Sequence, residues 1–329
     1  MNLVHGQKLA WQDRKAVSFT FSALHCGSFR LGYRPAERYG RHRSNGRRIS
    51  LGTAFAISGA AASPNMGYHS SPVITFLLAL WNVRLGWWLG NPGPAGDATH
   101  DMAGPGFSPR PLVAEAFGLT GDRHPWVYLS DGGHFENLGL YEMVLRRCRY
   151  VVVADAGEDA GLTFEDLGNA IAKIRIDLGV PIEFERVDME ARGEREPRCA
   201  PAMHRATFPY WAVGRIRYSH VDYRETPGDL GSEIDGWLLY GKPCLNGSEP
   251  IDVFHYARLH PEFPHESTAD QLYTETQLES YRSLGEHVLD GLVQGLPFRP
   301  TFEALVERAQ RYVVETAPGG RPRAVATAA

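Results

Sequence analysis

A strand-like run, a helical stripe and a second strand-like run follow one another near the middle of the chain. Residues 127–130 are mainly apolar and end at the Asp-Gly-Gly sequence of residues 131–133, where adjacent glycines indicate a tight turn. Apolar residues then recur at helical spacing over residues 137–148. Residues 150–154 form a continuous apolar run, which is typical of a strand buried on both faces of a parallel sheet. This order predicts one right-handed crossover between neighbouring parallel strands.

An acidic residue follows each of the two predicted strands. Asp131 comes after the first strand and Asp155 after the second. Because parallel strands end at the same edge of a sheet, we expect both carboxylates at the edge where open α/β sheets bind ligands. Gly132 and Gly133 would let a substrate approach the main chain beside Asp131 closely.

The alternation of helix and strand continues for one more helix and one more strand. Residues 163–178 carry a helical stripe of apolar side chains, and residues 182–187 have the pattern of a strand. Residues 188–235 begin with a strongly charged stretch, and we interpret them as an insertion. Residues 317–329 lack an apolar stripe and are predicted to be a disordered tail. The pattern as a whole predicts one α/β domain over residues 1–316, with a mainly parallel central sheet and helices on both faces.

The most apolar region, residues 49–83, contains no Asp, Glu, Lys or Arg. Its longest uninterrupted apolar block is well short of the roughly 20 residues that a membrane-spanning helix needs. We predict instead a strand over residues 50–57 and a core helix over residues 72–83. Beyond them, Trp87 and Trp88 are adjacent, and neighbouring side chains point in different directions, so we expect one of them to face lipid or substrate.

Composition limits the classes of protein to which the chain can belong. With 329 residues, of which 43% are hydrophobic and 22% charged, it can bury one large core. A formal net charge of −4 provides no global attraction to nucleic acid, so no nucleic-acid partner is expected. Seven arginines between Arg30 and Arg48 form a local basic cluster. A solvated loop explains this cluster, and contact with anionic lipid headgroups is the alternative.

Cysteines and histidines give no sign of a metal site or a cofactor. The four cysteines are scattered and form no CxxC pair, which is typical of reduced packing residues: Cys26, Cys148, Cys199 and Cys244. His255, His260 and His265 recur every five residues, but prolines at positions 261 and 264 would break a helix that aligned them. We therefore expect no metal and no cofactor.

Residues 129–140, with the sequence LSDGGHFENLGL, resemble the acid motif of the patatin-like phospholipases. The resemblance is to the bacterial branch related to cytosolic phospholipase A2, and it extends through residues 57–67, 84–92 and 263–271. It therefore covers most of the chain. Members of the family hydrolyse acyl esters with a serine and aspartate dyad, and Asp131 matches the position of their aspartate. The resemblance implies a partial patatin-like three-layer fold and a lipid acyl hydrolase.

The resemblance also implies roles for the residues of the turn. Asp131 would be the general base that takes the proton of a serine hydroxyl. Gly132, Gly133, His134 and Asn137 would support the turn or contact the substrate, and for His134 a structural hydrogen bond is the alternative. The implied partners are a lipid or acyl-ester substrate and a peripheral membrane surface. The scattered cysteines and the lack of a signal peptide pattern predict a location in the cytoplasm or on the cytoplasmic face of a membrane.

The nucleophile of the family is missing from this sequence. In the family it lies in a GxSxG elbow, preceded by a glycine-rich loop that holds the oxyanion, and neither pattern occurs here. Ser58 is the candidate replacement, because it follows the strand-like run of residues 53–57, but both Ser58 and Ser50 lack an elbow glycine. We therefore expect the serine to come from an upstream part of the same protein and this chain alone to be nearly inactive. No signal peptide pattern is visible at its start.

Three alternatives stay open from the sequence. The first is a catalytically dead scaffold of the same fold that binds lipid or protein. The second is a phosphate- or nucleotide-binding domain that uses Gly132 and Gly133, although no GxGxxG or Walker-type run is present. The third is that Asp155, which precedes Ala156 and Gly157, is the catalytic acid in place of Asp131.

Overall fold

The structure is a computed structural model. The described residues are 1, 16–41, 46, 48–60, 86–106, 121–189, 208–222, 234–267 and 272–316. The chain divides into two compact units, Met1–Gly139 and Leu140–Ala329. No helix among the described residues has both the length and the apolar character that crossing a membrane requires.

The described residues of the first unit form two small antiparallel sheets and one α-helix. Its elements, in chain order, are β1 (Thr20–Phe21), β2 (His25–Ser28), β3 (Gly32–Pro35), α1 (Leu51–Ser58), β4 (Trp87–Gly90) and β5 (Trp126–Leu129). Strands β1, β2 and β3 form a meander, and β4 pairs with β5. The two faces of the β4–β5 pair bury different residues, as the alternation of side chains along a strand requires.

One face of the β4–β5 pair packs into the main core of the first unit. Leu89, Val127 and Leu129 point into this core. On the other face Trp88 packs against Tyr128, with ring centroids 5.3 Å apart. The adjacent Trp side chain, at position 87, is 40% exposed, so the expectation that the two neighbouring tryptophans point in different directions is confirmed.

The second unit is built on a four-stranded mixed sheet. Its elements are α2 (Leu140–Leu145), β6 (Tyr150–Ala154), α3 (Glu165–Leu178), β7 (Ile182–Phe184), β8 (Trp211–Ile216), α4 (Ser219–Asp222), β9 (Gly236–Gly241), α5 (Ile251–Leu259), α6 (Glu275–Val293) and α7 (Phe302–Thr316). The strand order is β6-β9-β8-β7. Strands β6 and β9 run parallel, whereas β9, β8 and β7 are antiparallel neighbours. Helix α3 ends at Gly179, whose φ of 68° is the left-handed conformation that glycine adopts readily.

The predicted mainly parallel central sheet, and the three-layer patatin-like fold that depended on it, are wrong. Strand β5 pairs antiparallel with β4, and β6 belongs to a different sheet. The predicted crossover between neighbouring parallel strands therefore does not exist, and β6 with β9 is the one parallel pair among the described strands. The expectation that β6 is buried on both faces is also wrong, because β6 is an edge strand and Val152 is 47% exposed. A short apolar run indicates a strand but carries no information about its partner, its direction or the burial of its second face.

The prediction for the apolar region is also corrected. Residues 50–57 were expected to form a strand, but the chain forms helix α1 there. The Ser50 side chain caps this helix by accepting a hydrogen bond from the Thr53 N–H at 3.0 Å. The predicted core helix over residues 72–83 and the predicted tail over residues 317–329 lie outside the described residues.

Candidate functional site

The Asp131 turn follows β5 directly and is closed by its own side chain. Oδ1 of Asp131 accepts a hydrogen bond from the Gly133 N–H at 2.6 Å. The next residues form a short 3-10 turn, Gly132–His134, in which the Phe135 N–H donates to the Gly132 carbonyl at 2.9 Å. The carboxylate is thereby fixed relative to the end of the strand.

Glycine at position 133 leaves room for two side chains of the turn. A methyl group built on the α carbon of Gly133 would lie 2.1 Å from Oδ1 of Asn137 and 3.0 Å from Oδ1 of Asp131. The space that a side chain would fill is therefore taken by the Asn137 amide. Gly132 and Gly133 are both exposed, so a ligand can reach the main chain of the turn.

His134 binds back to the end of the strand. Its Nδ1 lies 2.9 Å from Oγ of Ser130, which is buried. This contact joins the turn to β5 and is a structural role for His134.

Ser58 lies next to the Asp131 turn. A methyl group built on Gly132 would lie 3.8 Å from Oγ of Ser58. The Asp131 N–H donates to the Ala60 carbonyl at 3.3 Å, so the main chain after α1 runs beside the turn. The first unit therefore brings together the two residues that the sequence offered as base and nucleophile.

The local structure of Ser58 does not suit a nucleophile. The expected elbow between a strand and a helix is wrong, because Ser58 is the last residue of α1 and faces the negative end of the helix dipole. In an elbow, the N–H of the residue after the serine stabilises the oxyanion. Here that N–H, on Gly59, donates to the Phe55 carbonyl at 3.0 Å and is already used.

A buried ionic cluster in the second unit was not anticipated from the sequence. Asp155 follows β6 and Lys242 follows β9, and because these strands are parallel neighbours, both residues lie at the same sheet edge. Nζ of Lys242 lies 3.1 Å from Oδ2 of Asp155, and each side chain is 2% exposed. The Tyr240 hydroxyl donates to the same carboxylate at 2.5 Å, and Asp159 lies 3.8 Å from Nζ. This pairing occupies Asp155, which weakens the alternative in which Asp155 is the catalytic acid.

His265 lies against this cluster and is buried. Its Nδ1 has no hydrogen-bond partner within the described part of the chain. Burial and the charge of Lys242 lower the pKa of His265, whereas a hydrogen bond with the Gly157 backbone and the charges of Asp159 and Asp155 oppose that shift. No group of three or more His, Cys, Asp or Glu among the described residues is arranged to hold a metal ion.

The lowered pKa of His265 predicts a loss of stability in mild acid. Below the ordinary histidine pKa of about 6.5, the unfolded chain binds a proton that the folded chain does not. The free energy of unfolding therefore decreases as the pH is lowered. For one proton the slope is at most about 1.4 kcal/mol per pH unit. Urea unfolding between pH 7.5 and 5.5 measures it, and His265→Gln should flatten the dependence. If the free energy of unfolding depends on pH equally in both proteins, His265 is not the group responsible.

Comparison with known proteins found no matching family model, no matching curated protein and no matching solved structure. The function is therefore inferred from the site and its motif.

Proposed function

We propose that the first unit carries the general-base part of an acyl-ester hydrolase, with Asp131 as the base. The hydrogen bonding of the Asp131 carboxylate is the observation that supports this proposal most. Gly133 holds Oδ1, while Oδ2 accepts no hydrogen bond from any described residue. A carboxylate that is fixed through one oxygen and open through the other can take a proton from an incoming hydroxyl.

The chemistry needs such a base because an alcohol is a weak nucleophile at neutral pH. The exposed glycines of the turn leave room for an ester beside the carboxylate. The resemblance of residues 129–140 to the patatin-like acid motif supports a lipid acyl ester as substrate.

Ser58 is a neighbour of the base and not the proposed nucleophile. Its hydroxyl is at a helix C-terminus, and the N–H of Gly59 is used within the helix end. Each missing oxyanion donor costs about 2.7–4 kcal/mol of transition-state stabilisation. We propose that the nucleophilic serine belongs to another segment of the protein and that this chain, with water as nucleophile, reacts slowly.

Replacing Asp131 with Asn removes the base and keeps the size of the side chain. We expect the slow hydrolysis of p-nitrophenyl butyrate by the purified chain to fall about 100-fold or to the rate of the buffer blank, because general-base catalysis contributes about 10²–10⁴-fold. The initial rate of p-nitrophenolate release measures it. Ser58→Ala should leave the rate unchanged.

Asp101→Asn is the matched control, because Asp101 is an exposed aspartate of the same unit. It should hydrolyse the ester at the rate of the unaltered chain. Equal rates for Asp131→Asn and the unaltered chain would contradict the proposal and favour a lipid-binding scaffold without turnover. A lipid-binding scaffold is the second candidate function. Its apolar surface would consist of Leu51 and Phe55, which lie one turn apart on α1 and are 84% and 79% exposed.

A further inference from the structure

A serine and a histidine meet in the second unit, in a part of the chain that the proposed function does not use. Ser248 is exposed and lies in the connection between β9 and α5. Oγ of Ser248 is 2.9 Å from Nε2 of His287, which lies on α6. This is the distance at which an imidazole can take the proton of a hydroxyl.

Helix α6 holds His287 in a fixed position. A capping box starts the helix, with the Gln277 N–H donating to Oγ1 of Thr274 at 3.2 Å and the Gln277 side chain accepting from the Thr274 N–H. The residue after the histidine, Val288, is buried, and its carbonyl accepts a hydrogen bond from the Trp211 indole at 3.0 Å. The main chain next to His287 is therefore held in place by the packing of α6.

The ring of Tyr210 restricts the imidazole further. The two rings are nearly perpendicular, with centroids 5.8 Å apart and an interplanar angle of 83°. The Tyr210 hydroxyl donates to Oδ1 of Asn246 at 2.8 Å, which ties this ring to the loop that carries Ser248. Both members of the pair are thus positioned by the same aromatic side chain.

The hydrogen bonds around Asn246 indicate where the serine proton points. Oδ1 of Asn246 accepts from the Tyr210 hydroxyl at 2.8 Å and from the Ser248 N–H at 3.0 Å. The Ser248 hydroxyl donates to the same oxygen at 2.7 Å. The proton therefore points at Asn246, and transfer to Nε2 of His287, which lies 2.9 Å from Oγ, requires the hydroxyl to rotate toward the imidazole.

We propose that Ser248 is a second nucleophilic site, which accepts acyl and phosphonyl groups from activated esters with His287 as its general base. Oγ forms a bond to the electrophilic carbon or phosphorus atom, and Nε2 of His287 takes the hydroxyl proton. The bond to the leaving group breaks, and the leaving group departs with its electron pair as phenolate or fluoride. The product is an acylated or phosphonylated Ser248 beside a protonated imidazole.

The reaction with an alkyl fluorophosphonate tests this proposal on the full chain. We expect one phosphonyl group per chain by intact-protein mass spectrometry, and peptide mapping should place it on Ser248. Ser248→Ala should lose the label. Ser22→Ala is the matched control, because Ser22 is exposed but its hydroxyl donates to the His25 carbonyl of the main chain, and it should label as the unaltered chain does.

Two variants separate a base from a structural partner. His287→Gln keeps a polar side chain but removes the base, and we expect labelling of Ser248 to slow about 100-fold. His287→Ala should regain part of the rate when imidazole is added to the buffer, which a purely structural role would not allow. Far-UV circular dichroism verifies that both variants are folded.

The proposal is overturned if Ser248 stays unlabelled, if the label falls on another residue, or if His287→Gln labels at the unaltered rate. This test is independent of the Asp131 turn. Asp131→Asn should label at Ser248 as fast as the unaltered chain, so the failure of one proposal does not imply the failure of the other.

Discussion

Lys242→Met is expected to destabilise the second unit by about 3–5 kcal/mol, because it leaves the carboxylate of Asp155 buried without its partner. The two groups are 3.1 Å apart and each side chain is 2% exposed, so water cannot replace the lost ammonium. The Tyr240 hydroxyl remains as a donor to the carboxylate but carries no charge. Urea unfolding followed by far-UV circular dichroism measures the loss.

The double variant Asp155→Asn/Lys242→Met removes both charges and should recover part of that loss, because the cost arises from an uncompensated buried charge. Arg282→Ala is the control for an ion pair in water. Its guanidinium bonds to Glu279 and Glu286 at the exposed surface of α6, and its removal should shift the urea midpoint little. If Lys242→Met shifts the urea midpoint as little as Arg282→Ala does, the buried pair contributes nothing to stability.

Gly90→Ala is expected to destabilise the first unit by about 3 kcal/mol or more, through overpacking against the main chain. A methyl group on Gly90 would lie 2.0 Å from the carbonyl oxygen of Thr99 and 2.6 Å from the α carbon of His100. This segment cannot retreat freely, because the His100 carbonyl accepts from the Gly40 N–H at 2.9 Å. The Tyr39 hydroxyl also donates to the Gly90 carbonyl at 2.6 Å.

The matched substitution is Gly52→Ala in the same unit. Gly52 lies in α1, and the nearest atom to an added methyl group is Oγ of Ser50 at 3.7 Å, an ordinary contact. Alanine there should be neutral or should stabilise the helix by about 0.5–1 kcal/mol. Thermal unfolding of both variants compares them, and a Gly90→Ala protein as stable as Gly52→Ala would contradict the close packing of β4.

Local sequence patterns were sufficient for several elements of the second unit. The apolar run of β6, the stripe of α3 and its ending at Gly179 all follow from periodicity and capping, which act over a few residues. Strand pairing could not be predicted in this way. The partner of β5 is β4, and the choice depends on side-chain packing between distant segments that no local pattern encodes.

Helix α1 shows a second limit. A run of small and apolar residues fits a strand or a helix, and Ser50, whose side chain caps the first turn, favours the helix. The sequence offered this signal, but the strand interpretation of Thr53–Ile57 made Ser58 look like the end of a strand. Because the element is a helix, Ser58 lies at its C-terminus, and the strand-to-helix turn of an elbow is absent.

The candidate sites also differ in how far apart their residues lie in the sequence. The turn around Asp131 is local, so the Asp-Gly-Gly motif was enough to locate it. The pairs Lys242 with Asp155 and Ser248 with His287 join segments that are distant in the sequence. They exist because β6 lies beside β9 and because α6 packs next to the loop before α5, and neither arrangement could be read from the sequence alone.

The transfer of an acyl group to an added alcohol tests the role of Asp131 most directly. Trifluoroethanol supplies the hydroxyl whose proton the carboxylate is proposed to take, and p-nitrophenyl butyrate supplies the acyl group. We predict that the unaltered chain forms trifluoroethyl butyrate at a rate that rises with the alcohol concentration, and that Asp131→Asn shows no such rise above the buffer blank. The same alcohol-dependent rate in both proteins would contradict the proposal that Asp131 is a general base.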